Sequence, residues 1–315
     1  MLRFLLNRLV AMIVTMFIIS ILIFVVAEVI PVDPAKLAAG RWATKEAVAA
    51  IRKEFGLDRP AYVRYINWIS GIFHGDFGTS IHYHRPVSDL IAIRLKRSLI
   101  LASIAFCFMI PLGLALGFLA GVTEGRLLDR ILSLASSVMV SSPAFIGGVY
   151  LIVVFSILLG WLPGTSTPQP GSSPFEVLRR LILPILTLSF DEVGYLTRFS
   201  RSTMVEVMQS DYIRTAVLKG LTKRKVILRH ALRNALIAPF TAVMLHVNWM
   251  IGGVVIVEIL FNYPGLGYLV FDAAMRNDII LLEGATLVLT FVAVVTQVIG
   301  DIGCFLLDPR IRFSR

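Results

Sequence analysis

The chain has 315 residues, of which 57% are hydrophobic and 16% charged, and its mean hydropathy of +0.81 excludes an ordinary soluble globular domain and indicates a membrane protein. A formal net charge of +10 is explained in such a protein by cationic loops on the cytoplasmic side, so we expect no nucleic-acid partner. Because Cys107 and Cys304 both lie in apolar runs, a disulfide framework and a cysteine-based metal site are excluded.

Six segments are apolar enough to cross a bilayer, which takes roughly 20 residues of helix. The first is too long for a cleaved signal peptide and lacks a small-residue cleavage site, so we interpret it as a retained span. The third is long enough to tilt or to break near Pro143, and the fourth has the weakest signal because it contains Asp191 and Glu192. The predicted spans are 9–30, 99–122, 132–162, 181–199, 236–257 and 283–307.

Lysine and arginine positions predict the orientation of these spans. With the N-terminus inside, the cytoplasmic pieces hold 16 Lys and Arg residues, against 3 in the two shorter outer pieces. The outer segment 31–98 holds another 11, but a segment of this length crosses the membrane largely regardless of its charge. We therefore expect both termini in the cytoplasm, although Arg94, Lys96 and Arg97 run against the rule.

The long outer segment contains one predicted helix. Thr44 is placed to cap it and Gly56 to end it, which gives a short amphipathic helix outside the membrane. We interpret this helix as a lid or packing element rather than a substrate contact. Its apolar positions, at helical spacing, are Ala47, Val48, Ile51 and Phe55. The second outer loop, 163–174, is too rich in turn formers for regular structure.

The cytoplasmic loop 200–235 predicts a helix, a glycine turn and a second helix. Asp211 can cap the first helix, Gly220 can take the left-handed conformation that ends it, and Thr222 can cap the second. The first helix mixes apolar and small side chains on one face with solvated Arg214 and Lys219. This pattern favours a docking element over a loop that only satisfies the charge rule or contacts anionic lipid.

This loop resembles the cytoplasmic coupling loop of ABC-importer permeases. Thr215 and Ala216 stand at the two small positions, Gly220 at the hallmark glycine and Leu232 at the later apolar position. Two departures are Arg214, where an acidic residue is usual, and Arg233, where a proline is often found. The resemblance implies that the following residues form the helix that docks on an ATPase: Tyr212, Ile213, Arg214, Thr215, Ala216, Val217, Leu218, Lys219 and Gly220.

The resemblance extends over nearly the whole chain and narrows to the dipeptide, oligopeptide and nickel permease group. It implies an all-α bacterial inner-membrane permease with a single transmembrane domain over 1–315. It also implies a second similar permease, two ATP-binding subunits that hold ATP and Mg, and an extracytoplasmic solute-binding protein, with no cofactor in this chain. Peptide is the expected cargo, with nickel, a glutathione-like peptide or an opine-type conjugate as alternatives. The fragments that carry it are 30–34, 55–58, 75–80, 252–253 with Glu258, 263–267 and 307–312.

In this family the translocation path runs between the two permeases, so polar groups in the spans are candidates to line it. Asp191 or Glu192 could meet a cationic group of the substrate, pair with a cation of the second permease, or be buried in the neutral form. His246 is either a hydrogen-bonded packing group or a substrate contact, and with Met244 it keeps a metal cargo open. A His82-x-His84 pair would bind metal only in an extended strand. The candidates are Asp191, Glu192, Met244, His246 and Asn248.

Two competing functions have less support. The sequence has neither a phosphate-binding loop nor the His-Glu-x-x-His and Gly-x-Ser-x-Gly signatures, so we expect no enzyme activity in this chain and ATP hydrolysis in a partner. A proton-coupled secondary transporter could use the intramembrane acids and His246 as a relay. That function predicts two related halves, which the sequence does not contain.

Overall fold

The computed structural model describes residues 2–29, 34–39, 43–54, 58–167 and 171–307. These residues form helices and loops without a β-strand, which confirms the all-α prediction. The helices are α1 (Leu2–Val29), α2 (Pro34–Ala39), α3 (Lys45–Glu54), α4 (Ala61–Phe73), α5 (Val87–Val122), α6 (Leu127–Ser141), α7 (Ala144–Leu151) with a π-helical continuation (Ile152–Leu158), α8 (Pro174–Met208), α9 (Asp211–Leu218), α10 (Lys223–Lys225) with a π-helical continuation (Val226–Ala231), α11 (Leu232–Ala235), α12 (Ile237–Leu260), α13 (Leu266–Met275) and α14 (Ile279–Leu307).

Within this part of the chain, three helices are long and apolar enough to cross a membrane: Leu6–Glu28, Val87–Val122 and Ile279–Phe305. A fourth span is formed if Leu127–Ser141 and Ala144–Leu158 are counted together, although they are bent by 107°. The predicted break near Pro143 is confirmed, because Ser142 is extended and Pro143 has no amide hydrogen to continue the helix. The predicted fourth and fifth spans lie in α8 and α12, and the count of six spans stays a prediction.

Several helix boundaries differ from the predicted spans, and the largest difference is at the start of α5. Helix α5 begins at Val87, well before the predicted start of the second span at Leu99. The cations at 94, 96 and 97 therefore lie on the helix rather than in the loop before it.

Thr44 caps α3 as predicted, since its Oγ1 accepts a hydrogen bond from the Ala47 amide at 3.3 Å. The predicted stop at Gly56 lies outside the described residues.

The chain divides into two compact units, 1–98 with 264–295 and 99–263 with 296–315. Helices α5 and α14 contribute residues to both. The single transmembrane domain inferred from the sequence stays a prediction. Each unit has an apolar core of its own, and the first is centred on residues from α5, α13 and α14: Val87, Leu90, Ile91, Leu266, Leu269, Ala273, Leu281 and Ala285.

In the first unit, the loop before α5 is fixed to the start of α14 by a buried aspartate. Asp278 is 1% exposed and accepts hydrogen bonds from Ser80 Oγ at 2.5 Å and from the His82 amide at 3.0 Å. It also accepts one from the Leu281 amide at 3.2 Å, which caps α14. His84 has a φ of 51°, so the loop is not the extended strand that a His-x-His metal site would need.

A second polar contact closes the same loop. The Tyr83 hydroxyl donates to Asp272 Oδ2 at 2.7 Å, and Arg276 Nε donates to the other oxygen at 2.9 Å. Burial, and then the hydrogen bond to Asp272, raise the pKa of the Tyr83 phenol above its ordinary value. Tyr83 therefore remains a neutral donor throughout the physiological pH range.

In the second unit, α5 packs on α8 through a stripe of three glycines, Gly113, Gly117 and Gly121. A Cβ added at Gly117 would lie 2.5 Å from Ser200 Cβ and 2.6 Å from the Thr197 carbonyl oxygen. The stripe lets the two backbones approach to a distance that any side chain would prevent, as in other closely packed membrane helices.

Candidate functional site

Helix α9 forms the centre of segment 200–235, which the sequence predicts to be a cytoplasmic coupling loop. It ends as predicted, because Gly220 has a φ of 76° and the Leu221 amide donates back to the Ala216 carbonyl at 3.3 Å. The predicted capping role of Asp211 is wrong. Ser210 occupies the N-cap position and Asp211 is the first helical residue, where its charge still favours the helix N-terminus.

The second helix of the loop also forms, with one difference from the prediction. Thr222 stands at its N-cap, but its side chain makes no capping hydrogen bond. The helix then passes from an α-helical turn at Lys223–Lys225 into a π-helical segment, Val226–Ala231, before it returns to α-helix at Leu232–Ala235. The helix, glycine and helix order predicted from the sequence is confirmed.

Two faces of α9 have different environments. Ile213 and Ala216 are 2% and 7% exposed and pack into a core of the second unit with Phe118, Met204 and Val226. They therefore fix α9 to its own chain instead of facing a partner.

On the other face, Tyr212, Val217 and Leu218 are exposed, Leu218 to 80%. Arg214, Thr215, Lys219 and Gly220 are exposed as well. The helix thus presents an outward surface, which we call the α9 surface, defined by Tyr212, Val217 and Leu218.

An ion pair that the sequence did not suggest joins α6 to α8 near this core. Arg201 donates to both oxygens of Asp129, from Nε at 2.5 Å and from Nη2 at 2.8 Å. The Gly125 amide donates to the same carboxylate at 2.9 Å. The Asp129 side chain is 4% exposed, and Met204, one turn beyond Arg201, packs in the core that holds Ile213. The ion pair therefore holds α8 to α6 next to the core residues on which α9 packs.

Two of the polar candidates within the spans, Glu192 and His246, meet in the second unit. His246 Nδ1 lies 3.3 Å and 3.5 Å from the two carboxylate oxygens of Glu192. The Tyr195 ring stacks on the imidazole with a centroid distance of 4.0 Å. Tyr195 was not identified from the sequence, although it lies one helical turn from Glu192. The three side chains line a small cavity with Phe106, Met109, Ile110, Leu196 and Val243.

The other path candidates are placed differently. Asp191 is partly buried beside Glu192 on α8. Met244 packs towards α14, where a Cβ at Gly303 would lie 2.8 Å from its sulfur, whereas His246 faces Tyr195 of α8. Met244 and His246 therefore do not converge as metal ligands. The side chain of Asn248 lies outside the described residues.

Comparisons with known proteins cover both ends of the chain. Residues 113–313 match the family described as the binding-protein-dependent transport system inner membrane component, and residues 1–102 match the N-terminal membrane component of the same systems. A putative peptide transport system permease protein of Brucella abortus is 38% identical over 309 residues, 98% of each chain.

Two further relatives are similar over their whole length. A probable peptide ABC transporter permease protein of Sinorhizobium fredii is 36% identical, over 98% of this chain and 99% of its own. A glutathione transport system permease protein of Shigella flexneri is 35% identical over 100% of both chains.

Proposed function

Because this chain belongs to the family of binding-protein-dependent transport system inner membrane components, we propose that it is the permease subunit of an ATP-driven importer that carries peptides across the bacterial inner membrane. The observation that carries the proposal is similarity over 98% of the chain to permeases whose names specify peptide transport. The glutathione permease at 35% identity keeps a glutathione-like peptide as an alternative cargo, beside nickel and opine-type conjugates.

The exposed α9 surface supports coupling to a separate ATPase. Tyr212, Val217 and Leu218 project from a helix whose opposite face is buried in its own chain, so a force on the surface is transmitted to the core that contains Met204 of α8. Movement of the ATP-binding subunits would in this way reorient α8 and switch the path between its outward and inward openings. In the proposed assembly this chain has six spans and both termini in the cytoplasm. Its partners are a second permease, two ATPase subunits and an extracytoplasmic binding protein.

Uptake by the complete assembly tests this function. The operon-encoded subunits are reconstituted in proteoliposomes with a peptide mixture, and the imported species are identified by mass spectrometry. We expect accumulation that requires ATP and disappears when the partner ATPases are catalytically inactive. Uptake that continues without ATP hydrolysis but collapses with the proton gradient would instead support a proton-coupled secondary transporter.

The Leu218→Ala substitution tests the coupling role of the α9 surface. Leu218 is 80% exposed, so its truncation leaves folding intact, whereas truncation of a central interface residue costs about tenfold in a coupled activity. We expect ATP-driven uptake to fall by that amount with an unchanged melting temperature. Leu127→Ala is the control, since Leu127 is also an exposed leucine, 73% exposed at the start of α6. Equal uptake by the two variants would contradict the coupling role.

The Glu192→Gln substitution tests whether the Glu192 and His246 pair belongs to the translocation path. The glutamine amide keeps the size of the side chain but weakens the charge-assisted hydrogen bond to His246. A loss of this kind changes a binding equilibrium about fivefold. We expect the KM or the maximal rate of uptake to change by several-fold for cationic peptides. Glu206→Gln, at an exposed position of the same helix, is the control. Identical kinetics for both variants and every peptide would remove this pair from the path.

A further inference from the structure

The first unit contains a cavity whose lining includes none of the residues proposed for the translocation path. The cavity has a volume of about 470 Å³ and is lined by α1, α4 and the first part of α14, including Met16, Phe17, Ile69 and Phe291. This volume is in the range of small-molecule sites, roughly 300–1,000 Å³. Both α1 and α14 are candidate membrane spans, so the medium around the cavity at this depth is acyl chain rather than water.

The two polar side chains in the cavity wall satisfy each other. Ser20 Oγ donates to the Phe17 carbonyl oxygen at 2.8 Å and lies 2.8 Å from the Tyr65 hydroxyl. Because the serine hydrogen is already engaged, the tyrosine is the donor of the second bond. Neither hydroxyl has a hydrogen left to donate to a guest, and an apolar cavity of this kind does not hold water. The cavity therefore selects an apolar occupant.

One end of the cavity is bordered by an aromatic and charged cluster where α4 packs on α1. The Phe24 ring contacts Tyr65 and Trp68 at centroid distances of 5.4 Å and 6.2 Å. The Arg64 guanidinium lies 6.0 Å from the same ring and forms an ion pair with Glu28. Tyr65 belongs both to this cluster and to the cavity wall, so the two features are continuous.

Two buried donors in the cluster have no hydrogen-bond partner in the part of the chain that the structure describes: Arg64 Nε and Trp68 Nε1. A buried N–H group without an acceptor is costly, so an occupant that brings an acceptor to these two groups would be stabilised. The cluster thus pairs one cation, Arg64, with one carboxylate, that of Glu28, whose side chain is 42% exposed. An occupant that carried only negative charge would be repelled by this carboxylate.

We propose that this is a phospholipid site for a zwitterionic lipid with a primary amine, such as phosphatidylethanolamine. One acyl chain fills the apolar cavity. The phosphate accepts hydrogen bonds from Arg64 Nε and Trp68 Nε1, and the ammonium group faces the Glu28 carboxylate. The two unpaired donors and the exposed carboxylate are then matched by a single headgroup, which an anionic lipid does not provide.

The test uses the complete transporter in nanodiscs that contain phosphatidylethanolamine with a photoactivatable diazirine on one acyl chain. Crosslinked residues are located by mass spectrometry. We expect labelling of Met16 and Ile69 above the level at Val10 and Ile18, which are exposed on α1 and report bulk lipid. Trp68→Phe and Glu28→Gln are each expected to lower the cavity labelling about fivefold, since each removes one hydrogen bond or charge contact. Trp161→Phe, at a 61% exposed tryptophan, is the control.

Two comparisons make the result decisive. Met16→Trp fills the cavity and should abolish its labelling while that of Ile18 persists. The same diazirine chain on phosphatidylglycerol should label the cavity about fivefold less, because its headgroup lacks the amine. Cavity labelling no higher than at Val10 would overturn the proposal. Protection of Met16 and Ile69 in the presence of either lipid would overturn it too, because a helix of another subunit would then occupy the site. Labelling that is independent of the headgroup would overturn it as well.

Discussion

Replacement of Asp129 with alanine is expected to destabilise the protein by about 3 kcal/mol. Removal of one member of a buried ion pair costs about 3–5 kcal/mol, because the other charge is left without a partner. The lower end applies here, since the Arg201 side chain is 31% exposed and water can solvate part of its charge. The variant also removes the acceptor of the Gly125 amide. The measurement is denaturant unfolding of the permease in mixed micelles.

Two further variants separate the ion pair from general effects of substitution. Replacing both residues, with Asp129→Ala and Arg201→Met together, should recover most of the loss, because no buried charge remains. Arg276→Ala breaks the pair with Asp272, in which the arginine is 46% exposed, and should destabilise the protein much less than Asp129→Ala, because an exposed ion pair contributes little. An Asp129→Ala variant as stable as Arg276→Ala would refute the assignment of the Asp129 and Arg201 pair as a main stabilising contact between α6 and α8.

Replacement of Gly117 with alanine is expected to destabilise the contact between α5 and α8 by about 1–3 kcal/mol, the usual cost of overpacking. The new Cβ would collide with the Thr197 carbonyl oxygen as well as with Ser200. A backbone atom cannot move aside as the end of a flexible side chain can, so the two helices must separate. The expected readouts are a lower melting temperature and a smaller folded fraction after extraction from the membrane.

Gly252→Ala provides the matched control for that substitution. Gly252 is also a helical glycine, in α12, but a Cβ there would meet no atom within 4 Å. Alanine favours a helix over glycine by up to about 1 kcal/mol, so this variant should be neutral or slightly stabilised. If Gly117→Ala and Gly252→Ala melt at the same temperature, close backbone packing along the glycine stripe is not required for stability.

Features that depend on neighbouring residues were predictable from the sequence. The cap at Thr44, the break near Pro143 and the left-handed turn at Gly220 each follow from local backbone chemistry, and the structure contains all three. The start of α5 was not predictable by hydropathy, because its first turns carry several cations on an otherwise apolar helix. Asp211 was misassigned because Ser210 and Asp211 are both good N-cap residues, and the sequence does not rank them.

Contacts between residues far apart in the chain could not be predicted from the sequence. Asp129 and Arg201 are 72 residues apart, and Glu192 and His246 are 54 apart. Each residue alone has many possible partners, and only tertiary packing selects one. The sequence identified Glu192 and His246 as unusual because ionisable groups at membrane depth are costly, yet their pairing and the stacked Tyr195 emerge only from the fold.

Helix α9 is buried on one face and exposed on the other, which limits how segments can be exchanged between permeases. A chimera that exchanges only Asp211–Leu218 with the same segment of another permease would bring foreign side chains to the positions of Ile213 and Ala216, which are fitted to Phe118, Met204 and Val226. In the proposed coupling role, specificity for an ATPase would be carried on the α9 surface and inherited together with the interior that supports it. Engineering of hybrid importers should therefore transplant the whole of 200–235 together with the residue facing it at Phe118.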